Sequence, residues 1–292
     1  MYRALADAIR DAEARGQKLA HVALELEAAD QGRTVADIRA ALARALEVMR
    51  GAIGDGMTGD LMSSSGLVGG DAAKLRTGPA GPLAETPFRD ILARALAVQE
   101  VNAAMGVIVA APTAGGAGVL PAVLTGLAKA RSLPDETVID GLAAAGLIGA
   151  VIAERASLSG AEGGCQAETG AAAGMAAGAA TEMLGGSPAQ VGHAVALTMQ
   201  GMLGLVCDPL GGLVELPCVF RNATGSAIAL AGIEMAMAGI TFAIPVDEVI
   251  DVMGEIGREM DVRYRETAGG GLAATPTGRR LAKERLYQIK RS

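Results

Sequence analysis

The sequence predicts an all-α fold: a multi-helix globular catalytic domain with Gly-rich loops. Three observations carry that reading. From Thr86 onward apolar residues recur at helical spacing, while alternating strand patterns are scarce. Helix-start signals stand before several of those runs, as in Thr34 with Asp37 and Ser187-Pro188 with Gln190. Finally, aromatic residues make up only 2% of the 292-residue chain and tryptophan is absent, so alanine and 41 glycines take the place of bulk. Small residues let helices approach closely, which suits a core of many tight helix contacts.

In chain order, residues 1–50 read as an N-terminal helical segment of two or three amphipathic helices. Leu19, Val22, Ala23 and Leu26 form one apolar stripe, with His21 on its polar side. Val35, Ile38, Leu42, Leu46 and Met49 form the next, behind the capping-box pair Thr34 and Asp37. This segment packs against the body or a partner and carries no visible chemistry. Residues 51–87 are a Gly/Pro-rich loop region containing Ser63-Ser64-Ser65-Gly66 through Asp71, followed by Lys74.

Residues 88–292 form the helical body, expected to bind a metal cluster. A helix ending near Ala111 and another beginning near Val119 flank Thr113-Ala114-Gly115-Gly116-Ala117-Gly118. Glycine-rich backbone at a helix start offers N–H groups to an anion, or serves simply as a close-packed turn. Gly141 to Ala153 is the most apolar stretch and reads as a buried helix, since no uninterrupted run reaches the roughly 18 to 20 residues of a membrane span. Gln166 to Leu184 is alanine-rich and proline-free, and stops at Gly185-Gly186. Ser187 restarts a helix to about Val206, and a further helix follows Cys218, from Val219 to about Gly239.

Composition excludes some functions. A net charge of −7 argues against nucleic acid. Arg279-Arg280 and Lys290-Arg291 read as a solvated helix face and a tail. With no targeting segment and with free thiols, the expected compartment is the cytoplasm.

The three cysteines are the most informative residues. Helices Gln166–Leu184 and Ser187–Val206 would each be roughly 28 Å long, and a short turn folds them antiparallel. That pairing returns Cys207 to the level of Cys165. Cys218 joins through the compact Gly211-Gly212 loop, and both Cys165 and Cys218 fall at helix N-termini, where a thiolate is favoured. Three thiolates make an incomplete metal site. Disulfides are disfavoured by the odd count and ample core. Buried structural cysteine remains open, as does zinc, although a structural zinc site wants a fourth ligand. His193 cannot supply it, lying mid-helix roughly 21 Å of rise from Cys207. An iron-sulfide cluster with one iron left open suits three cysteines better.

The strings GAEGGCQAETG, CDPLGGLVELPC followed by Arg221-Asn222, AAPTAGGAGVLP and GGLAATPTG occur in fixed order between about Leu61 and Arg280. Together they resemble the iron-sulfur-dependent L-serine dehydratases, specifically the alpha chain of the two-chain form. The resemblance implies a [4Fe-4S] cluster on Cys165, Cys207 and Cys218 and conversion of L-serine to pyruvate and ammonia. It also implies a separate beta chain as partner, which would carry the catalytic base wholly or in part. For the substrate carboxylate the candidates are the Thr113, Ala114, Gly115 loop and Lys74. Asn222 is a candidate for bonding substrate or cluster sulfide, or for local helix-start bonding. Glu162, Glu168 and Glu215 flank the cysteines without a feature that distinguishes one as base. No lysine sits in a Schiff-base context, so pyridoxal is not implied. No cysteine follows Cys218, so the resembled single-chain proteins' device of a C-terminal cysteine on the open iron is not expected. Alternatives are an iron-sulfur L-cysteine desulfidase and a non-catalytic or zinc-stabilised helical scaffold.

Overall fold

A computed structural model describes residues 2–289, so the basic tail Lys290-Arg291 lies outside the described residues. The described chain is all-α. Its helices are α1 (Leu5–Arg15), α2 (Leu19–Gln31), α3 (Val35–Gly56), α4 (Asp71–Thr77), α5 (Pro87–Ala103), α6 (Val119–Arg131) and α7 (Asp135–Arg155). They continue with α8 (Gly160–Gly163), α9 (Ala171–Met183), α10 (Pro188–Met199), α11 (Cys218–Met237), α12 (Val246–Glu259) and α13 (Pro276–Ile289). Among the described residues there is no strand, only an isolated bridge between Cys207 and Arg265.

Helix α9 is the axis of the fold. Every one of its residues is buried, and α6, α7, α10 and α11 pack around it. A helix apolar on all sides has no solvent face to offer, and small side chains allow neighbours on every flank. A Cβ at Gly174 would stand 2.8 Å from Met199 Cγ, and one at Gly178 would stand 2.5 Å from Ile148 Cδ1, so these positions admit glycine alone without repacking. Helix α7 is long and apolar enough to cross a membrane by length and composition, yet 67% of its most apolar window is buried inside the protein. The apolar residues of α1 and α2, with Ile38, Leu46 and Met49 of α3, join the same core as α7, α9 and α10, while Ala52 and Ile53 of α3 pack with α5 in a second cluster.

Both sequence-marked N-caps form. Thr34 with Asp37 and Ser187 with Gln190 make reciprocal capping boxes at α3 and α10. Three other helices have no cap of their own and take a buried carboxylate from far along the chain. Glu182 of α9 accepts the amides of Leu19 and Ala20 at 2.5 and 2.9 Å. Asp247 of α12 accepts those of Leu5 and Ala6 at 2.7 and 3.0 Å. Glu100 of α5 accepts those of Asp71 and Ala72 at 2.6 and 3.1 Å. Each places a negative charge on the positive end of a helix and satisfies two amides that have no intrahelical partner.

Two expected helix ends fall short. The helix placed to about Ala111 stops at Ala103, where Met105 takes a positive φ of 63° before Gly106 and the β-branched run Val107-Ile108-Val109. The helix placed to about Val206 stops at Met199, tightens into a 3₁₀ turn over Gln200–Met202, and turns at Gly204 with φ 79°. At the same end of the α9–α10 pair, residues Gln166–Gly170 form a π-helical turn immediately after Cys165, and the Gln166 amide donates to the Leu205 carbonyl at 3.0 Å.

Candidate metal centre and active site

The three cysteines come from three segments, and each is buried for a local reason. Cys165 sits between the α8 turn and the π turn. Gly164 before it, at φ 75°, leaves no room for a side chain against Met260 and the Leu205 carbonyl. Gln166, fully buried, pins this turn in place. Its Nε2 donates to the Met253 carbonyl at 3.0 Å, and its Oε1 accepts the Gly204 amide at 2.9 Å. Cys207 is held by the backbone of the 262–266 segment, donating to the Tyr264 carbonyl at 2.8 Å and accepting the Glu266 amide at 2.9 Å. Cys218 opens α11 behind Pro217.

The thiols meet. All three are free and no more than 3% exposed. The neighbouring Cys207 and Cys218 thiols push Cys165 down to about 3 against the opposing effect of burial, with the Arg221 charge adding to them. Cys207 and Cys218 are pushed up, first by the neighbouring Cys165 and then because they are buried. Arg221 Nη1 lies 3.6 Å from Cys165 Sγ and donates to the Val206 carbonyl at 2.8 Å. It also pairs with Asp208 at 2.8 Å. The second Asp208 oxygen accepts the Leu272 amide at 2.6 Å, which ties the GGLAATPTG segment to the cysteine loop. Gly271, at φ 57°, faces that carboxylate and has no space for a Cβ.

Glu168 is the residue that the sequence did not single out. It projects from the π turn, and its carboxylate lies with Cys165 and Cys207 such that the ligating atoms of all three are within 4.8 Å of one another. Burial pushes its carboxyl up to about 7, against a lowering hydrogen bond from Thr113; the charges of Cys165 and Glu266 also raise it. Thr113 Oγ1 donates to Glu168 Oε1 at 2.7 Å. A Cβ at Gly115 or at Gly160 would stand 2.7 Å from Glu168 Oε2, so both glycines are cut to fit this carboxylate. Spacing alone could not have found it, because Glu162 and Glu168 both lie three residues from Cys165.

The Thr113–Gly118 loop is therefore brought to the cysteines, with Thr113 half-buried, Ala114 exposed and Gly115 buried. It is clamped from behind. Asn222 Nδ2 donates to the carbonyls of Gly115 (2.7 Å) and Cys218 (3.0 Å), and its Oδ1 accepts the Gly118 amide at 2.9 Å. Gln99 Nε2 donates to the Ala114 carbonyl at 2.9 Å and to Asn222 Oδ1 at 3.3 Å. Asn222 is wholly buried with both polar atoms engaged, so the structure gives it the job of holding the loop and leaves no free atom for a ligand. The amides of Gly115 and Gly116 donate to no acceptor among the described residues.

Lys74 is not brought to this site. Its ammonium pairs with Asp71 at 2.8 Å on α4, and its side chain is 73% exposed. Glu215 is buried but turned to Ser65, accepting from both its amide and its hydroxyl. Glu162 is exposed and accepts from the Ser157 hydroxyl. His193 Nδ1 accepts the Phe242 amide at 3.3 Å, away from the thiols, and His21 is exposed.

Fold and site together define an all-helical protein in which Cys165, Cys207 and Glu168 form a buried group that could hold a metal, with Cys218 buried nearby and a loop of free amides beside them. A family model of the serine dehydratase alpha chain matches residues 14–273, and the chain belongs to that family. It is 50% identical over 269 residues to the probable L-serine dehydratase alpha chain of Bacillus subtilis, covering 90% of this chain and 87% of that one. It is 40% identical over 278 residues to the L-serine dehydratase alpha chain of Peptoniphilus asaccharolyticus, covering 94% of each. With the L-serine dehydratase of Streptomyces coelicolor it shares 43% identity over 267 residues, and covers only 58% of that longer protein.

Proposed function

We propose that this chain is the cluster-bearing half of a two-chain L-serine dehydratase that removes water from L-serine to give pyruvate and ammonia. We assign a [4Fe-4S] cluster to Cys165, Cys207 and Cys218. The observation that carries the reading is the convergence of three buried, unpaired thiols beside a buried carboxyl and a loop of unpartnered amides. The donor set fits the group. Thiolates are the ligands such a cluster takes, and Arg221 favours the anionic form at Cys165. Held by these three cysteines, such a cluster would supply Lewis-acid chemistry for a poor leaving group such as hydroxide.

The chain's own residues would do the rest. The Gly115 and Gly116 amides receive the substrate carboxylate as charge-assisted donors, and Gln99, Asn102 and Asn222 hold them rigid. Glu168 takes the proton from Cα, and its burial keeps it a strong enough base near neutral pH. Thr113 fixes the orientation of that carboxyl. Loss of the Cα proton and of the β-hydroxyl leaves aminoacrylate, which tautomerises and hydrolyses in water.

A beta chain completes the assembly. Support comes from the alpha-chain names of two relatives and from the extra length of the Streptomyces protein. Phe220 and Leu272, next to Arg221 and to the loop bound by Asp208, are 41% and 49% exposed, apolar surface that a partner would cover. Glu168 narrows what that partner must bring, because this chain already offers a carboxyl where a base is needed.

The test is the iron and sulfide content of anaerobically purified chain, with and without the beta chain, followed by turnover of L-serine and L-cysteine. About four irons and four sulfides per chain are expected, lost on changing Cys165, Cys207 or Cys218 to alanine. Preference for L-cysteine would move the activity to desulfidation, and zinc or no metal at all would sink the dehydratase reading.

A further inference from the structure

Behind the cysteine site, a cavity of about 340 Å³ opens between the α8 turn and the C-terminal half of α12. Two arginines line it, Arg258 from α12 and Arg265 from the segment bonded to Cys207. Neither makes an ion pair among the described residues, on a chain where acidic groups outnumber basic ones. Arg265 Nε is buried and donates to nothing in the protein. A buried guanidinium N–H without an acceptor is costly, so such a group in a polar cavity points to an acceptor from outside the chain.

The cavity is shaped around these cations. A Cβ at Gly254 would stand 3.2 Å from Arg258 Nη1 and from Ala156, and one at Gly257 would stand 2.9 Å from Gly163 Cα. Larger residues at either position would fill the space or displace the guanidinium. The one carboxylate on the wall, Glu162, is turned to the Ser157 hydroxyl at 2.6 Å. Arg155 nearby is already committed to Asp251. Two uncommitted cations and one engaged anion leave the lining net positive.

We propose that this cavity binds a small oxyanion, a carboxylate or phosphate group held between Arg258 and Arg265. Guanidinium groups match both chemistries through paired N–H donors. The position gives the site a consequence. Gly163 and Ala167 on its wall lie two residues either side of Cys165, and Arg265 is the bridge partner of Cys207. An occupant braces the two segments that present those thiols, so the cavity is a regulatory site distinct from the Thr113–Gly118 loop. The proposal does not rest on the dehydratase reading, because binding is read on the chain itself.

The experiment is calorimetric titration of the full chain at low ionic strength, with inorganic phosphate in one arm and succinate in the other. Hydrogen exchange is followed at residues 160–167 and 262–266. Saturable binding of at least one probe is expected, with slower exchange in both segments. Which arm binds tells phosphate from carboxylate. Arg258→Gln, on an exposed face of α12 and so compatible with folding, should weaken binding at least tenfold, the loss expected for one charged hydrogen bond. Arg258→Lys should fall between. No saturable binding of either probe at millimolar concentration, or an Arg258→Gln variant that binds as tightly as the parent, would overturn the proposal.

Discussion

Asn222→Ala tests whether the loop beside the thiols is held by one side chain. The amide is fully buried and makes four hydrogen bonds, to the Gly118 amide, the Gln99 side chain and the carbonyls of Gly115 and Cys218. Removing it leaves the Gly118 N–H with no acceptor, and the Gly115 carbonyl with only a long bond of 3.4 Å from Gln99. A buried group left unpaired costs about 1–3 kcal/mol; the Gly118 N–H carries that in full and the Gly115 carbonyl, with its long bond, about 1 kcal/mol more, so the expected loss is about 2–4 kcal/mol. Urea denaturation at constant m-value reads that loss directly. Under the proposed function the variant should also show a raised KM for L-serine with its metal content intact, because the loosened loop presents its amides less well. Asn222→Asp should be no better, since it turns the donor toward two carbonyls into another acceptor. A stability loss under about 1 kcal/mol would refute the reasoning, for the loop would then be held by Gln99 and Asn102 without it.

Other outcomes follow from the same kind of accounting. Glu182→Ala should cost about 2–4 kcal/mol in denaturant, because the buried amides of Leu19 and Ala20 lose a charged acceptor, while Glu182→Gln should recover part of it. Burial raises the folded-state carboxyls of Glu182 and Glu100 above their usual value of 4.5. Their contribution to stability is therefore full below that pH and declines as pH rises through the folded values. A stability profile of Glu182→Gln should be flatter over that window than the parent's. Glu168→Gln should lower kcat for L-serine by about 10²–10⁴-fold with iron content unchanged, and a variant retaining more than a tenth of the parent rate would remove Glu168 from the proton transfer.

How much of this was legible in the sequence depends on how far apart the partners are. The capping boxes at Thr34 and Ser187 were legible because both members lie within one turn. The meeting of Cys165 with Cys207 was legible because two helices of similar length joined by Gly185-Gly186 have one way to lie. The helix ends at Ala103 and Met199 were not, since hydrophobic runs continued past them and only backbone turned at Met105 and Gly204. Glu168 looked like its neighbours Glu162 and Glu215 until folding buried one beside the thiols, bonded one to Ser65 and left the other exposed. Asn222 drew attention by its place just after Cys218, but its partners Gly115 and Gly118 lie more than a hundred positions earlier, and pairing at that separation leaves no periodic trace.

The remote carboxylate caps carry a consequence for biosynthesis. Helices α1 and α2 emerge from the ribosome long before Asp247 and Glu182, the groups that terminate them, have been translated. An isolated short helix with open amides is marginal in water. These two helices are thus expected to settle only after α9 and α12 have been made and can close their open amides.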